Sequence, residues 1–189
     1  MILAVPLLAL ALAAPADSAA SKQPAPAPFR LRSSSFDAGG SIPARHTCEG
    51  GDASPALRWS GAPDSTRSFA LIVDDPDAPD PAAPRVVWVH WVLYDIPAGA
   101  SALPESATAR SLPAGTRSGV NDWKQPIWRG PCPPKGEHRY SFKLYALDVV
   151  LPDLGRPGKA ALEKAMAGHV LGQAELIGTY RKSGGAGSR

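Results

Sequence analysis

Cysteine is scarce in this chain, and closely spaced metal-binding pairs are absent. The two cysteines, Cys48 and Cys132, form neither a Cys-x-x-Cys pair nor a Cys/His repeat, which excludes the common zinc patterns. The sequence also contains no Gly-x-Ser-x-Gly, no His-Glu-x-x-His and no Walker loop. Because the local signatures of serine hydrolases, zinc peptidases and P-loop enzymes are missing, we predict no catalytic residues, no metal and no cofactor.

Runs of one charge are also lacking. The formal net charge is +3, from 20 Lys and Arg against 17 Asp and Glu, and the arginines are scattered. The closest basic pair, Arg181 and Lys182, lies in a glycine- and serine-rich end that we interpret as a flexible tail over residues 181–189. A positive charge this mild and dispersed does not predict a nucleic-acid partner.

Proline and glycine, by contrast, are plentiful, with 21 and 18 residues among 189. So many helix breakers favour short strands joined by stiff loops over a helical bundle. The length predicts a single domain with a sizeable core. We place this domain at residues 29–180, after a proline- and alanine-rich linker at residues 21–28.

The N-terminal segment predicts export. Ile2–Ala14 is apolar and uncharged but short for a membrane span, and the small residues Ser18–Ala20 suit a signal peptidase. We therefore predict a signal peptide over residues 1–20, a periplasmic or secreted protein, and no integral membrane segment after processing. The segment lacks Lys and Arg before its apolar run, and Pro6 and Pro15 disfavour the alternative of a buried N-terminal helix.

An exported protein with two cysteines permits one disulfide, between Cys48 and Cys132. Cys48 lies in a turn and Cys132 in a proline-rich loop, so the bond would join two loops. Two free buried thiols are the alternative.

A long run of β-branched and aromatic residues, Val86–Ile96, predicts the strongest strand. It is apolar on both parities, as in a strand that lies in the middle of a sheet and is covered on both faces. His90 shares its parity with Trp88, Val92 and Tyr94, so we expect it on their side of the sheet.

The remaining elements predict an antiparallel β-sandwich with one helix near the C-terminus. A long strand is predicted over Arg139–Val150, and one of its faces begins at Tyr140. His138 immediately precedes this strand and falls on the same face. The amphipathic spacing of Leu162, Met166 and Val170 predicts a helix over Lys159–Leu171. Further strands are expected within Phe29–Phe36, at Leu57–Trp59, at Ser68–Val73 with a stop at Asp74–Pro76, and at Ala174–Tyr180.

Two stiff proline turns present polar side chains next to these strands. Pro131–Lys135 leads through Gly136 to His138 and Tyr140, and Asp75–Pro79 follows another apolar run. Histidine N–H groups, a phenol and backbone N–H groups left open by a glycine suit an anion site.

The combination of motifs resembles the phosphatidylethanolamine-binding protein family, and especially its bacterial branch of Raf-kinase-inhibitor-like proteins. The resemblance covers about Phe29 to Tyr180. Its motifs are DPDAP at 75–79, VHW at 89–91, GVNDW at 119–123, GPCPPKG at 130–136 and HRY at 138–140.

This resemblance implies a β-sandwich with a small surface cavity that binds phosphate or a phospholipid head group. The ligand-binding residues carried over to this sequence are Asp75, Pro79, Trp88, His90, Pro134, Gly136, His138 and Tyr140. Two departures affect the cavity rim: Trp128 stands where the branch commonly has Tyr, and Gln125–Pro126 where a glycine-rich stretch is usual.

Asp75 needs a separate explanation, since a carboxylate repels an anion. We predict that it accepts a hydrogen bond from a histidine ring and directs the other nitrogen toward the ligand. It could also accept from the ammonium group of a zwitterionic head group.

Three alternatives stay open. His90 taken alone is more commonly a buried histidine bonded to the backbone, and Asp75 and Asp77 are ordinary turn formers. Two histidines and Asp75 could ligate a metal. The resemblance also implies protein-interaction functions, as an inhibitor of kinases or proteases; export argues against a cytoplasmic kinase and leaves a protease or another protein.

Overall fold

The computed structural model of the protein describes residues 27–184. Within this range, two antiparallel sheets stack against each other, which confirms the predicted β-sandwich with one short helix. The helix is α1 (Lys159–Met166), and a 3₁₀ turn spans Ala44–His46. The strands are β1 (Arg30–Ser33), β2 (Leu57–Ser60), β3 (Ser68–Ala78), β4 (Val86–Pro97), β5 (Ala102–Leu103), β6 (Arg117–Ser118), β7 (Glu137–Leu147) and β8 (Val170–Arg181).

The small sheet has the order β1-β2-β5 and the large sheet the order β6-β4-β3-β7-β8. The central strand is β3, and its apolar run from Ser68 to Val73 is buried throughout. β4 lies between β3 and the two-residue β6, so it is next to the sheet edge rather than in the middle as predicted. It is nevertheless buried from Val89 to Ile96, because hydrophobic cores cover both faces of the large sheet.

The first core lies between the two sheets, and the second between the large sheet and α1. The predicted face of β7 enters the first core, which confirms the alternation of that strand. Principal members of the first core are Leu31, Trp59, Phe69, Leu71, Tyr140, Phe142, Leu144 and Ala146. Those of the second are Ile72, Val92, Tyr94, Leu162 and Met166.

A buried carboxylate attaches the helix to the large sheet. Asp74 accepts hydrogen bonds from Lys143 of β7 at 2.8 Å and from Lys159 at the start of α1 at 2.6 Å. Such a buried charge is tolerated only when paired, so this cluster specifies where α1 begins relative to β3.

The helix is shorter than its periodicity predicts. α1 ends at Met166, and Gly168 with φ +82° allows the chain to turn into β8. Leu162 and Met166 are buried as expected, but Val170 is the first residue of β8 and 45% exposed. The error arises because residues four apart, such as Met166 and Val170, also lie on one face of a strand, where side chains alternate from residue to residue.

β3 does not stop at Asp74–Pro76 as predicted. It continues to Ala78, which pairs with Val86 of β4. A register shift between Asp75 and Ala78 accommodates Pro76, which has no N–H to contribute to a regular ladder.

A bulge also changes the direction of His90. Val73 pairs with Trp91 and Asp74 pairs with Val89, so His90 is an extra residue on β4. The parity beyond the bulge is therefore reversed, and the expectation that His90 faces the side of Val92 and Tyr94 is wrong.

The terminal predictions are only partly covered. The signal peptide at residues 1–20 lies outside the described residues, as does the linker apart from residues 27–28. Arg181 belongs to β8, and the backbone N–H of Ser183 donates to Glu49 at 2.8 Å, so the tail boundary at residue 181 is corrected. Among the described residues, no helix has the length and apolar character needed to cross a membrane.

Candidate functional site

A cavity of about 400 Å³ opens where β3 and β7 separate. Their backbone ladder ends at the pair Asp74–Ser141, while β3 continues along β4 and β7 continues along β8. The residues lining the space are Asp75, Ala78, Pro79, Arg85, Val86, Trp88, His90, Trp123, Cys132, Pro133, Pro134, His138 and Tyr140. Seven of the eight residues predicted from the sequence are thus brought together, and the eighth, Gly136, is not.

Side chains replace the missing backbone bonds between the separating strands. Asp75 Oδ2 accepts from His138 Nδ1 at 2.7 Å, and Asp75 Oδ1 accepts from the Asp77 N–H at 2.8 Å. Asp77 in turn accepts from the Arg139 backbone N–H at 2.8 Å and from its guanidinium at 2.6 Å. The Arg139 guanidinium holds the pKa of Asp77 below its ordinary value.

His138 stabilises the wall of the cavity and does not offer an N–H to a ligand. The second ring nitrogen, Nε2, donates to the Lys135 carbonyl at 2.9 Å, and the side chain is fully buried. Asp75 does hold a histidine ring, as expected, but it directs the other nitrogen to the proline loop and not into the cavity. Both ring nitrogens of His138 are thus engaged within the protein, one by Asp75 and the other by the Lys135 carbonyl.

His90 presents its free nitrogen as an acceptor. Nδ1 donates to the Arg129 carbonyl at 2.5 Å, while Nε2 has no hydrogen-bond partner among the described residues. The ring makes edge-to-face contacts with Trp123 at 5.1 Å and Tyr140 at 5.2 Å. Burial lowers the pKa of His90 and favours the neutral ring, so the predicted N–H donor would form only after proton uptake.

The Tyr140 hydroxyl is buried and makes no hydrogen bond of ordinary geometry within residues 27–184, although the Asp75 carboxylate is close enough to interact with it. Burial, and then the negative charge of Asp75, raises the pKa of Tyr140, so the group stays protonated. Leaving such a donor unsatisfied costs about 1–3 kcal/mol. A ligand that supplied an acceptor would remove this cost.

Sequence reasoning missed Arg85. It lines the cavity just before β4, and its backbone N–H donates to the Ala78 carbonyl at 2.9 Å. Its guanidinium is the one permanent positive charge among the lining residues of the described structure. The available signal was a cation placed immediately before the strand that carries Trp88 and His90.

Gly136 acts in the turn and not in the cavity. Its φ is +75°, and a Cβ there would lie 2.8 Å from Pro81 Cγ. A side chain at this position would therefore push the two proline loops apart, which is a packing requirement and not a ligand contact.

The two departures from the family pattern lie outside the lining. Trp128 is buried in the first core, stacked on Phe142 at 5.8 Å, so its expected effect on the rim is corrected. The backbone N–H of Gln125 donates to Asn121 Oδ1 at 3.0 Å, and this hydrogen bond closes the loop that contains Gln125.

The predicted disulfide is present, with Cα atoms of Cys48 and Cys132 5.4 Å apart. The Cys48 N–H also donates to the Pro131 carbonyl at 3.1 Å. Because Cys132, Pro133 and Pro134 line the cavity, the bond anchors one of its walls.

Metal binding by two histidines and Asp75 is not supported by the contacts. Both nitrogens of His138 are already engaged in hydrogen bonds within the protein, so a metal could bind this ring only if one of those contacts were broken. In the part of the chain that the structure describes, no group of three or more His, Cys, Asp or Glu is arranged around a common point.

Comparison with known proteins places this geometry in context. A family model for phosphatidylethanolamine-binding proteins matches residues 32–181. A UPF0098 protein of Methanothermobacter thermautotrophicus is 48% identical over 153 residues, which make up 80% of this chain and 98% of that protein.

Two solved structures are also similar. A phosphatidylethanolamine-binding protein homologue from Chlamydia trachomatis has a TM-score of 0.75 and 39% identity, covering 82% of this chain and 97% of its own. YbcL of E. coli, described as a member of the mammalian family, has a TM-score of 0.74 and 35% identity, covering 82% and 99%.

We expect the disulfide to order the cavity wall as well as stabilise the fold. The double variant Cys48→Ser/Cys132→Ser should lose about 4 kcal/mol of unfolding free energy, because the bond closes a long loop. Urea unfolding measures this loss. Amide hydrogen exchange should accelerate at position 132, Lys135 and Gly136 beyond the change in β8. Uniform acceleration across the domain would contradict a local role for the bond.

Proposed function

This chain belongs to the phosphatidylethanolamine-binding protein family, and we propose that its cavity binds a small ligand carrying a phosphate or a similar oxyanion. The family comprises proteins that bind small ligands or inhibit other proteins, and its members are generally not enzymes. Binding without catalysis is accordingly our proposal for this member.

The observation that carries the proposal is the unpartnered hydroxyl of Tyr140. A phosphoryl oxygen is a strong acceptor, and a hydrogen bond to a charged acceptor is stronger than one between neutral groups. The neutral His90 favours a ligand hydrogen at the same end, either a P–OH group or a proton taken up on binding. The part of the cavity next to Tyr140 and His90 therefore suits an oxyanion that is partly protonated, or one whose binding is accompanied by proton uptake.

The charge balance around the cavity supports the same ligand class. Asp75 would repel an anion if it were free, but both of its oxygens are engaged within the protein, one with His138 Nδ1 at 2.7 Å and the other with the Asp77 N–H at 2.8 Å. Arg85 then adds one positive charge at the wall. A guanidinium can form two parallel hydrogen bonds to a phosphate.

The remaining walls suit the organic part of a phosphate ester. Most of the lining is apolar, and it includes the edge-to-face pair Trp88–Trp123, with ring centroids 5.4 Å apart. Pro79, Pro133 and Pro134 also line the cavity. A protein partner such as a protease, the alternative from the sequence, stays a prediction; the cavity is the feature that favours a small ligand.

We also propose that the protein is exported. The disulfide supports this proposal, because such bonds persist in oxidising compartments and are uncommon in the bacterial cytoplasm. The apolar segment Ile2–Ala14 followed by small residues is the second support.

Tyr140→Phe should weaken binding without weakening the fold. Removing the hydroxyl deletes a donor to the ligand, which we expect to lower affinity for O-phosphoethanolamine roughly 10-fold or more. The free protein should be as stable as before or more so, because an unsatisfied buried group has gone. Isothermal titration calorimetry and thermal unfolding measure the two effects.

Tyr145→Phe on the same strand is the matched control, since Tyr145 does not line the cavity. Equal affinities for the Tyr140→Phe variant and the unchanged protein would contradict the proposed site.

Affinity should depend on pH through His90. Its pKa is lowered in the free protein, and an anion favours the imidazolium, so binding should take up a proton and strengthen as the pH falls from 8 to 5. The limit is tenfold per pH unit for one coupled proton. Glycerophosphoethanolamine is a suitable probe because its phosphodiester does not titrate in this range.

The His90→Gln variant should show a flat profile, with circular dichroism confirming that it is folded at pH 5. If the affinity of this variant still rose steeply as the pH fell, the proton would be taken up by a group other than His90.

Export predicts a processed N-terminus. In cells of a Gram-negative bacterium, the full chain should appear in the periplasmic fraction with its N-terminus near Ser21, and a chain starting at residue 21 should remain in the cytoplasm. Mass spectrometry of the intact protein decides the matter. A cytoplasmic protein that retains Ile2–Ala14 would contradict export.

A further inference from the structure

The loop that follows β6 contains Asn121 and Asp122, two residues of the GVNDW motif that do not line the cavity. We call residues 121–129 the edge loop, because β6 is only two residues long and the loop covers the edge of β4 beyond it. The Asp122 N–H donates to the Val89 carbonyl at 3.0 Å, and Asp122 Oδ2 accepts from the Val89 N–H at 2.7 Å. The edge loop therefore takes the place of a neighbouring strand at this point of β4.

Asn121 holds the edge loop in shape. Its side chain is buried, and Oδ1 accepts from the Gln125 N–H at 3.0 Å while Nδ2 donates to the Ile127 carbonyl at 2.9 Å. Nδ2 also lies 3.4 Å from the carbonyl oxygen of His90, which accepts from the Arg129 N–H at 3.2 Å. One buried amide thus joins the middle of the loop to the backbone of His90.

The end of the edge loop decides which ring nitrogen of His90 carries a hydrogen. The Arg129 carbonyl can only accept, so His90 Nδ1, which lies 2.5 Å from it, must be the N–H. Burial favours the neutral ring, and in that ring Nε2 is an acceptor. Trp123 packs edge-to-face on the same ring at 5.1 Å, and the Arg129 guanidinium lies 5.8 Å from the Trp123 ring centroid. The loop therefore restricts both the tautomer and the orientation of His90.

We propose that Asn121 is a positioning residue that fixes His90 as a hydrogen-bond acceptor, and that the cavity thereby selects oxyanions that carry a hydrogen. This inference rests on the proposed function of the cavity and names the form of its ligand. Tyr140, whose ring centroid is 5.2 Å from that of His90, offers the adjacent donor.

A donor beside an acceptor is the complement of a P(=O)–OH group, as in the monoanion of a phosphomonoester. The phosphoryl oxygen accepts from Tyr140, and the P–OH group donates to His90 Nε2. A phosphodiester has no hydrogen on phosphorus-bound oxygen, so it binds only at the cost of protonating His90. The cavity should therefore prefer monoesters in their monoanionic form.

The first test is spectroscopic and needs no ligand. In protein labelled with nitrogen-15 histidine, two-bond nitrogen–proton correlations near pH 7.5 show which ring nitrogen carries the hydrogen, and the signals of His90 are those missing from His90→Gln. His90 should be a single tautomer with the hydrogen on Nδ1. Asn121→Ala should populate both tautomers, because the Arg129 carbonyl is no longer held against Nδ1. A single Nδ1–H tautomer that persisted in Asn121→Ala would overturn the positioning role.

The second test compares two ligands that differ in this hydrogen. At pH 5.5, O-phosphoethanolamine is mainly a monoanion, since the second pKa of such a phosphate is about 6, and 2-aminoethyl methylphosphonate has the same charge with a methyl group in place of the hydroxyl. By calorimetry, the unchanged protein should bind O-phosphoethanolamine roughly 10-fold more tightly, because the analogue leaves Nε2 without a partner. In Asn121→Ala this ratio should fall to about threefold or less, since a ring free to change tautomer can donate to either ligand.

Further variants separate positioning from loss of stability, which would weaken both ligands equally. Asp122→Ala removes the contact with Val89 and should reproduce both effects even if Asn121→Ala does not fold, whereas Asp122→Asn retains an acceptor and should restore the unchanged behaviour. Ser54→Ala is the matched control, because its buried hydroxyl accepts from the Ala107 N–H at 2.8 Å in a loop away from the cavity. Equal effects on tautomer and ligand ratio in Ser54→Ala and Asn121→Ala would overturn the proposal.

The ligand results also distinguish this inference from the proposed function. Equal binding of both ligands by the unchanged protein would overturn the selection of a hydrogen-bearing ligand and leave the oxyanion site intact. Binding of neither ligand would contradict the proposed function and the ligand form together, while the spectroscopic comparison would still decide the role of Asn121.

Discussion

The buried hydrogen bond between Asp75 and His138 is the interaction on which the candidate site depends. It joins β3 to β7 beyond the point where their backbone ladder ends, and through Lys135 it also holds the proline loop. Without it, two strands would separate with unsatisfied polar groups in a water-poor interior, which is costly. The contact keeps β3 and β7 connected after their backbone hydrogen bonds have ended, and the cavity is the space between the two strands.

A second constraint concerns the groups that the fold leaves unsatisfied. Tyr140, with its unpartnered hydroxyl, and His90, with its free nitrogen, lie next to each other in the lining of a cavity that is otherwise mainly apolar. Four other buried polar atoms of the described residues are also unpartnered, on His46, Trp59, Thr116 and Trp128, so what distinguishes the Tyr140 hydroxyl is that its residue lines the cavity. The presence of the Tyr140 hydroxyl and the His90 nitrogen beside the cavity is consistent with a ligand that completes the hydrogen bonding. The disulfide then limits how far the adjacent proline wall can move.

Local pattern predicted much of the fold, and the resemblance to the family supplied the residues expected around the cavity. The alternation in β7, the apolar run of β4 and the proline turns were each readable in order along the chain. The hydrogen-bonding roles of the site residues were harder to predict from the sequence. Both histidines were expected to donate to a ligand, but His138 is fully engaged with Asp75 and Lys135, and His90 is an acceptor in its neutral form. Which partner a ring nitrogen meets depends on chain segments tens of residues away.

The sequence by itself determined the β-rich class and the stiff loops, because short-range periodicity and proline geometry act over a few residues. The set of side chains near the cavity came from the resemblance to a known family. Only the tertiary structure decided three other features. It turned His90 across the sheet through a bulge, ended α1 at Met166, and brought Arg32 opposite Arg58. Each depends on how segments that are distant in the sequence pack together, as strand register does, so it cannot be recognised within a single segment.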